Sequence, residues 1–208
     1  MYNILGTATK IGLISDLHYN LNYNPDSSKD SCTSSSSFNS YEANGDPVAN
    51  LGRYGCDANT DLIRTMLQRF NEKFGKVDVL LVTGDHTAHG VSAEEDDDHS
   101  GAEYEAVKNN IKQSFDLLKE YFPDTIILPA IGNNDGRFDD SAIDESSKTD
   151  YYQFLYELWF ENFQGNSQID LNLISESFFQ TGSYRVDISP SLSVLNFNTM
   201  YFIIDDYL

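Results

Sequence analysis

The chain has 208 residues, 40% of them hydrophobic and 22% charged. That is enough for one large domain with a buried core, and it excludes a disordered, collagenous or coiled-coil chain. Thirteen Lys and Arg stand against 33 Asp and Glu, a formal net charge of −20, so nucleic-acid duplexes and anionic membranes are poor partners while hard cations find many oxygen donors.

The N-terminal residues 1–10 carry no basic and apolar signal-peptide pattern, and no stretch approaches the roughly 18 apolar residues of a membrane span. Ile11 to Ser15 reads as a buried strand that ends in Asp16-Leu17-His18. Residues 20–56 form a long polar loop with a serine tract at 34–37 and the two cysteines, Cys32 and Cys56. Two thiols allow one disulfide or none. Thr60 to Phe74 has helical apolar spacing, with Asn59 or Thr60 as N-cap. A second apolar run, Val77 to Thr83, ends in Gly84-Asp85.

An acidic loop over 90–101 leads to helical spacing over 102–121. A third run, Thr125 to Ile131, ends in Gly132-Asn133-Asn134-Asp135. An aromatic helix from about Tyr151 to Phe163 follows, then two strand candidates, Gly182 to Ile188 and Leu192 to Asn198. Strands alternating with helices predict an α/β chain whose first strands are parallel.

Three strands therefore end in polar clusters, and ligands bind beyond the carboxyl ends of parallel strands. Asp16 and His18 share one side of an extended chain. A carboxylate and an imidazole suit zinc, iron or manganese. Asp85 has two oxygens with which to bridge two ions, and Asn133 offers an amide oxygen. Two ions about 3.5–4 Å apart clamp a phosphate and activate a water. Asp or Asn after a strand is also an ordinary turn former or helix cap. The three clusters together, each at a strand end, outweigh that reading.

Asp-Leu-His at 16–18, Gly-Asp at 84–85 and Gly-Asn-Asn-Asp at 132–135 resemble the signature blocks of calcineurin-like metallophosphoesterases. Thr83-Gly84-Asp85-His86-Thr87-Ala88-His89, and Tyr54-Gly55-Cys56-Asp57 after Cys32, are similar to the acid sphingomyelinase-like phosphodiesterases within that superfamily. The resemblance runs from Ile11 to the C-terminus. It implies one phosphoesterase domain over 11–208, behind a short lead of residues 1–10. The fold implied is part of a four-layer α/β/β/α sandwich. The activity implied is a dinuclear-metal hydrolase of phosphodiester or phosphoanhydride bonds, acting on a phosphorylated small molecule, a phosphodiester or a polyphosphate.

In that resemblance Asp16 and His18 hold the first divalent ion, zinc before iron or manganese. Asp85 bridges and Asn133 binds the second ion. His89 faces the phosphate as proton donor. Asn134 stands in a catalytic position where the family usually has a histidine. A Gly-Asn-Asn-Asp block is similar to that of endopolyphosphatases. His86 reads as an ordinary loop histidine, and His99 as solvated. The resemblance also implies a Cys32–Cys56 disulfide and a lysosomal, vacuolar or secreted location. The missing signal peptide keeps the cytoplasm, and free thiols, open.

After His99 the chain has no histidine, whereas the family places a Gly-His-X-His block near its C-terminus. The sequence is thus expected to be the N-terminal part of the domain. The alternative is a catalytically inactive remnant that binds a partner or a cation.

Overall fold

The computed structural model describes residues 8–24, 50–92, 101–160, 163 and 169–202. Three short strands, β1 (Ile11–Ile14), β2 (Val79–Val82) and β3 (Ile126–Pro129), form a parallel sheet in the order β1-β2-β3. Ile11 pairs with Val79, and Val79 with Ile126, so the three carboxyl ends finish level. β2 is buried along nearly its whole length, as an apolar run in the centre of a parallel sheet should be. β1 departs from the expected buried strand. It is an edge strand whose Ile11 and Leu13 are exposed while Gly12 and Ile14 face inward.

Helix α1 (Thr60–Phe74) connects β1 to β2 and α2 (Ala102–Tyr121) connects β2 to β3. Asn59 caps α1, its side-chain oxygen accepting the Leu62 N–H at 2.8 Å. Both helices bury the apolar stripe that the spacing predicts, Ile63 and Leu67 on α1, and Val107, Ile111 and Leu118 on α2. The aromatic helix is α3 (Lys148–Phe160), beginning three residues earlier than its aromatic run.

A further helix, α4 (Leu171–Thr181), was not apparent from the sequence pattern. Asp170 caps it at one end and Gly182, in the left-handed region, closes the other. Strands β4 (Tyr184–Ser189) and β5 (Leu192–Asn196) pair antiparallel as a second, two-stranded sheet. Trp159 and Phe160 of α3, Phe178 of α4 and Tyr184 of β4 form an edge-to-face cluster with centroids 4.9–6.3 Å apart. The Pro129 carbonyl links the two sheets, accepting Tyr184 Oη–H at 2.6 Å and the Asn196 amide at 3.1 Å.

The architecture is mixed α/β around a parallel sheet, as the sequence order requires. The serine tract, the acidic run 94–98 and His99 lie outside the described residues. So does the expected Cys32–Cys56 bridge, because Cys32 is not among them.

Candidate metal centre

The loops leaving β1 and β2 are stitched together by their backbones. The His18 N–H donates to the Asp85 carbonyl at 2.9 Å and the Tyr19 N–H to the His86 carbonyl at 2.9 Å. The loop after β3 joins through Asp135. Its buried carboxylate accepts the Thr87 N–H with one oxygen and the Gly132 N–H with the other, each at 2.9 Å. Two charge-assisted bonds to backbone donors offset the cost of burying that charge. Tyr151 on α3 donates its hydroxyl to the Asp135 carbonyl, tying the same loop to the aromatic core.

Two glycines make this closeness sterically feasible. A Cβ on Gly132 would sit 2.2 Å from the Asp85 nitrogen and 2.3 Å from Asp85 Oδ1. Gly84 has φ of +100°, and a Cβ there would lie 2.6 Å from the Gly132 nitrogen.

This packing brings Asp16, His18 and Asp85 together. His18 Nε2 lies 3.6 Å from Asp85 Oδ2 and 3.9 Å from Asp16 Oδ1. These separations exceed a hydrogen bond. Two donors of one ion, each bonded at roughly 2.0–2.2 Å, stand up to about 4.4 Å apart. His18 Nδ1 lies 3.2 Å from the Thr87 carbonyl, which can only accept, so Nδ1 carries the proton and Nε2 keeps its lone pair for a ligand. Ser15 donates its hydroxyl to Asp16, and Thr83 donates to Ser15 at 2.8 Å. An imidazole nitrogen between two carboxylates is a donor set that fits zinc, iron or manganese.

The backbone carries strain at these positions. Among the described residues only Asp16, His18, Asp85 and Asp140 are non-glycine residues with positive φ, at 54°, 40°, 53° and 51°. Each such residue costs about 1–3 kcal/mol and persists only where its surroundings over-determine it.

The remaining expected site residues fall around this centre. Asn133 donates its amide Nδ2–H to Asp140 Oδ1 at 2.8 Å, which leaves its Oδ1 available to a cation. Asn134 is buried and donates its backbone N–H to Asp85 Oδ1 at 3.1 Å and its amide at 3.4 Å. Its own carbonyl oxygen has no protein partner. His89 is about half exposed and stacks on His18 with ring centroids 4.2 Å apart.

His86 differs from the expected loop histidine. It is fully buried, with Nδ1 3.2 Å from Ser114 Oγ. Ser114 already donates to the Ile111 carbonyl, so His86 is the donor in that pair. It is a core residue.

Residues that the sequence reading did not single out also meet here. Asp57 contacts His89, Asp135 joins two loops, and Asp140 fixes Asn133. Asp57 had a signal, its place directly after Cys56 in the Tyr-Gly-Cys-Asp turn. Asp140, the second of two aspartates in a polar loop, had none.

The pattern of the calcineurin-like phosphoesterase family matches residues 9–205. The chain is 33% identical over 200 residues to acid sphingomyelinase-like phosphodiesterase 3b of Mus musculus, which covers 90% of this chain and 38% of that protein. It is 30% identical over 152 residues to sphingomyelinase phosphodiesterase D of Dictyostelium discoideum, covering 73% of this chain and 30% of the relative. Sphingomyelinase phosphodiesterase C of the same organism is 25% identical over 190 residues, covering 91% and 39%. The chain thus spans less than two fifths of the length of these curated relatives.

Proposed function

The chain belongs to the calcineurin-like phosphoesterase family, in its acid sphingomyelinase-like branch, and from that premise we propose that it provides metal ligands and the active site of a hydrolase of phosphodiester or phosphoanhydride bonds. One observation carries this reading: the convergence of Asp16 and His18, beyond β1, with Asp85, beyond β2, their donor atoms within 4.8 Å of one another. The phosphoesterase domain is assigned residues 11–208, behind the lead 1–10. The matching region is consistent with that span.

Asp16 and His18 would hold one divalent ion, Asp85 would be shared with a second, and Asn133 would contribute its amide oxygen to that second ion. Bound there, the ions supply charge stabilisation for the phosphoryl oxygens and a water of lowered pKa. Zinc suits the imidazole–carboxylate set best, with iron or manganese as alternatives.

The chain's own residues do the rest. Thr87 fixes the His18 tautomer through its carbonyl. Asn134 holds Asp85 Oδ1 with two N–H donors, so the position at which the family resemblance implies a histidine serves here to orient a carboxylate. An amide is a poor proton donor near neutral pH. His89 is the ring left to deliver a proton to the leaving oxygen.

The substrate is a phosphorylated small molecule, a phosphodiester or a polyphosphate. Among the described residues no helix is long and apolar enough to cross a membrane. The family resemblance points to a lysosomal, vacuolar or secreted setting.

The test is hydrolysis of bis(4-nitrophenyl) phosphate and pyrophosphate by the metal-loaded protein. Activity that chelation abolishes and zinc or manganese restores supports the reading. A metal-loaded protein that turns over neither would overturn it.

A further inference from the structure

We infer that Asp57 is a positioning residue for His89, clamping the ring so that Nε2 is the atom offered to the substrate. The inference rests on the proposed role of His89 at the phosphate. Asp57 Oδ2 accepts the His89 backbone N–H at 2.9 Å, and Asp57 Oδ1 lies 2.9 Å from ring Nδ1. One carboxylate therefore holds both the main chain and the side chain of the same residue. An ionised carboxylate can only accept, so Nδ1 carries a proton toward Asp57 and Nε2 is the ring atom turned to the ligand.

The clamp is itself built by the segment that carries His18. The Ala58 N–H donates to the His18 carbonyl at 3.1 Å, and the Asn20 N–H to the Ala58 carbonyl at 2.8 Å. Those bonds set Asp57 directly beside the site, while the Cys56 N–H closes the preceding turn on the Arg53 carbonyl at 3.0 Å. His18 supplies the third constraint by stacking on the His89 ring, the two planes 14° apart. A half-exposed histidine ordinarily keeps its rotamer freedom. Here backbone, carboxylate and neighbouring ring remove it in advance of substrate.

His18, Asp57 and His89 also have ligating atoms within 4.8 Å of one another, which invites a second metal site. The geometry is against it. Nearly parallel stacked rings direct their in-plane lone pairs side by side, and Nδ1 of each ring already faces an oxygen acceptor. The cluster is an Asp–His pair laid against a metal-ligand histidine.

In the reaction the P–O bond breaks with its electron pair on the leaving oxygen. That oxygen takes the Nε2 proton of the His89 imidazolium, whose Nδ1–H stays on Asp57, while water forms the new P–O bond and releases a proton to solvent, from which Nε2 is reprotonated. Asp57 remains a carboxylate throughout, holding Nδ1–H.

The test uses the zinc-loaded protein and its isosteric Asp57→Asn variant. Long-range 1H–15N spectra of the histidine rings should show a hydrogen-bonded Nδ1–H for His89 that is lost in the variant. Loss of a residue that orients another at such a site typically costs about 10–100-fold. The turnover number for an alkyl phosphodiester should fall by that factor, with KM within about twofold and zinc content unchanged. The fall should be smaller for a 4-nitrophenyl diester. In a His89→Gln background, Asp57→Asn should add nothing, because the pair acts as a unit. Unchanged His89 ring signals in Asp57→Asn, or additive losses in the double variant, would overturn the inference. A wild-type protein that binds zinc and hydrolyses neither diester would refute the hydrolase reading instead, and the ring spectra would still decide the clamp.

Discussion

Asn134 directs two hydrogen bonds, from its backbone N–H at 3.1 Å and its amide at 3.4 Å, onto the same oxygen of Asp85. The other oxygen of that carboxylate is the one nearest His18 Nε2. Asn134 thus decides which way the Asp85 carboxylate faces. Partners of metal ligands typically carry about 10–100-fold in affinity. Asn134→Leu should weaken zinc binding by that factor while the strands stay folded. Competition against a chromophoric chelator measures it. Wild-type affinity in Asn134→Leu would show the contact to be incidental.

His89 carries a different expectation. If its ring delivers the proton to the leaving oxygen, His89→Ala should lower turnover by about 10²–10⁴-fold. The penalty should shrink with a good leaving group such as 4-nitrophenolate, which needs little protonation. Metal content should remain. Equal losses for poor and good leaving groups would assign His89 to loop structure.

Gly132 tests the packing that brings the loops together. An added methyl group would meet Asp85 backbone and side chain at 2.2 and 2.3 Å; the backbone cannot give way, and the carboxylate oxygen is held by two Asn134 donors. Overpacking of this kind costs about 1–3 kcal/mol. Gly132→Ala should lose that much stability in denaturant unfolding and should bind metal poorly in its folded fraction. Full stability together with full metal content would mean that the loops separate more easily than the geometry implies.

Asp144 offers a pH prediction outside the site. Burial raises its carboxyl, but the hydroxyls of Ser146 and Ser147, the Ser147 N–H and the Arg137 charge outweigh that and bring it below its ordinary value. Its oxygen accepts the Ser146 and Ser147 N–H groups at 3.1 and 3.0 Å, ahead of α3. A folded-state pKa below the unfolded one contributes stability above the unfolded value, and that stability is lost as pH falls through the folded one. Capping contacts of this type are worth about 1 kcal/mol. Asp144→Asn should therefore lower stability by about that amount at neutral pH, and the gap to wild type should close below about pH 4. A gap independent of pH would remove the charge from the explanation.

The sheet was legible because apolar runs that stop abruptly in Asp, His or Asn have few other readings. β2 and β3 are such runs. α2 was legible over the same residues that it occupies, 102–121. α4 was not, although Asp170 and Gly182 signal its ends, because Asn172, Ser175, Ser177 and Phe179 are weak helix formers and packing of Ile174 and Phe178 carries the helix. At the site, Asp16, His18 and Asp85 could be found in sequence because they stand next to strands. Asp57 could not be paired with His89 from sequence. The two lie 32 residues apart, and only the pairing of Ala58 with His18 and Asn20 sets them in contact. The exposure of Leu13 on β1 likewise depends on which strand takes the sheet edge, and local pattern does not encode that.

The central claim is that Asp85 is shared between two ions at the meeting point of three loops. Elemental analysis of the purified protein and of Asp85→Asn, after equilibration with zinc and removal of the excess, tests it most directly. The substitution should remove bound metal, since both ions would lose a ligand at once. Metal retained by Asp85→Asn at the wild-type stoichiometry would contradict it.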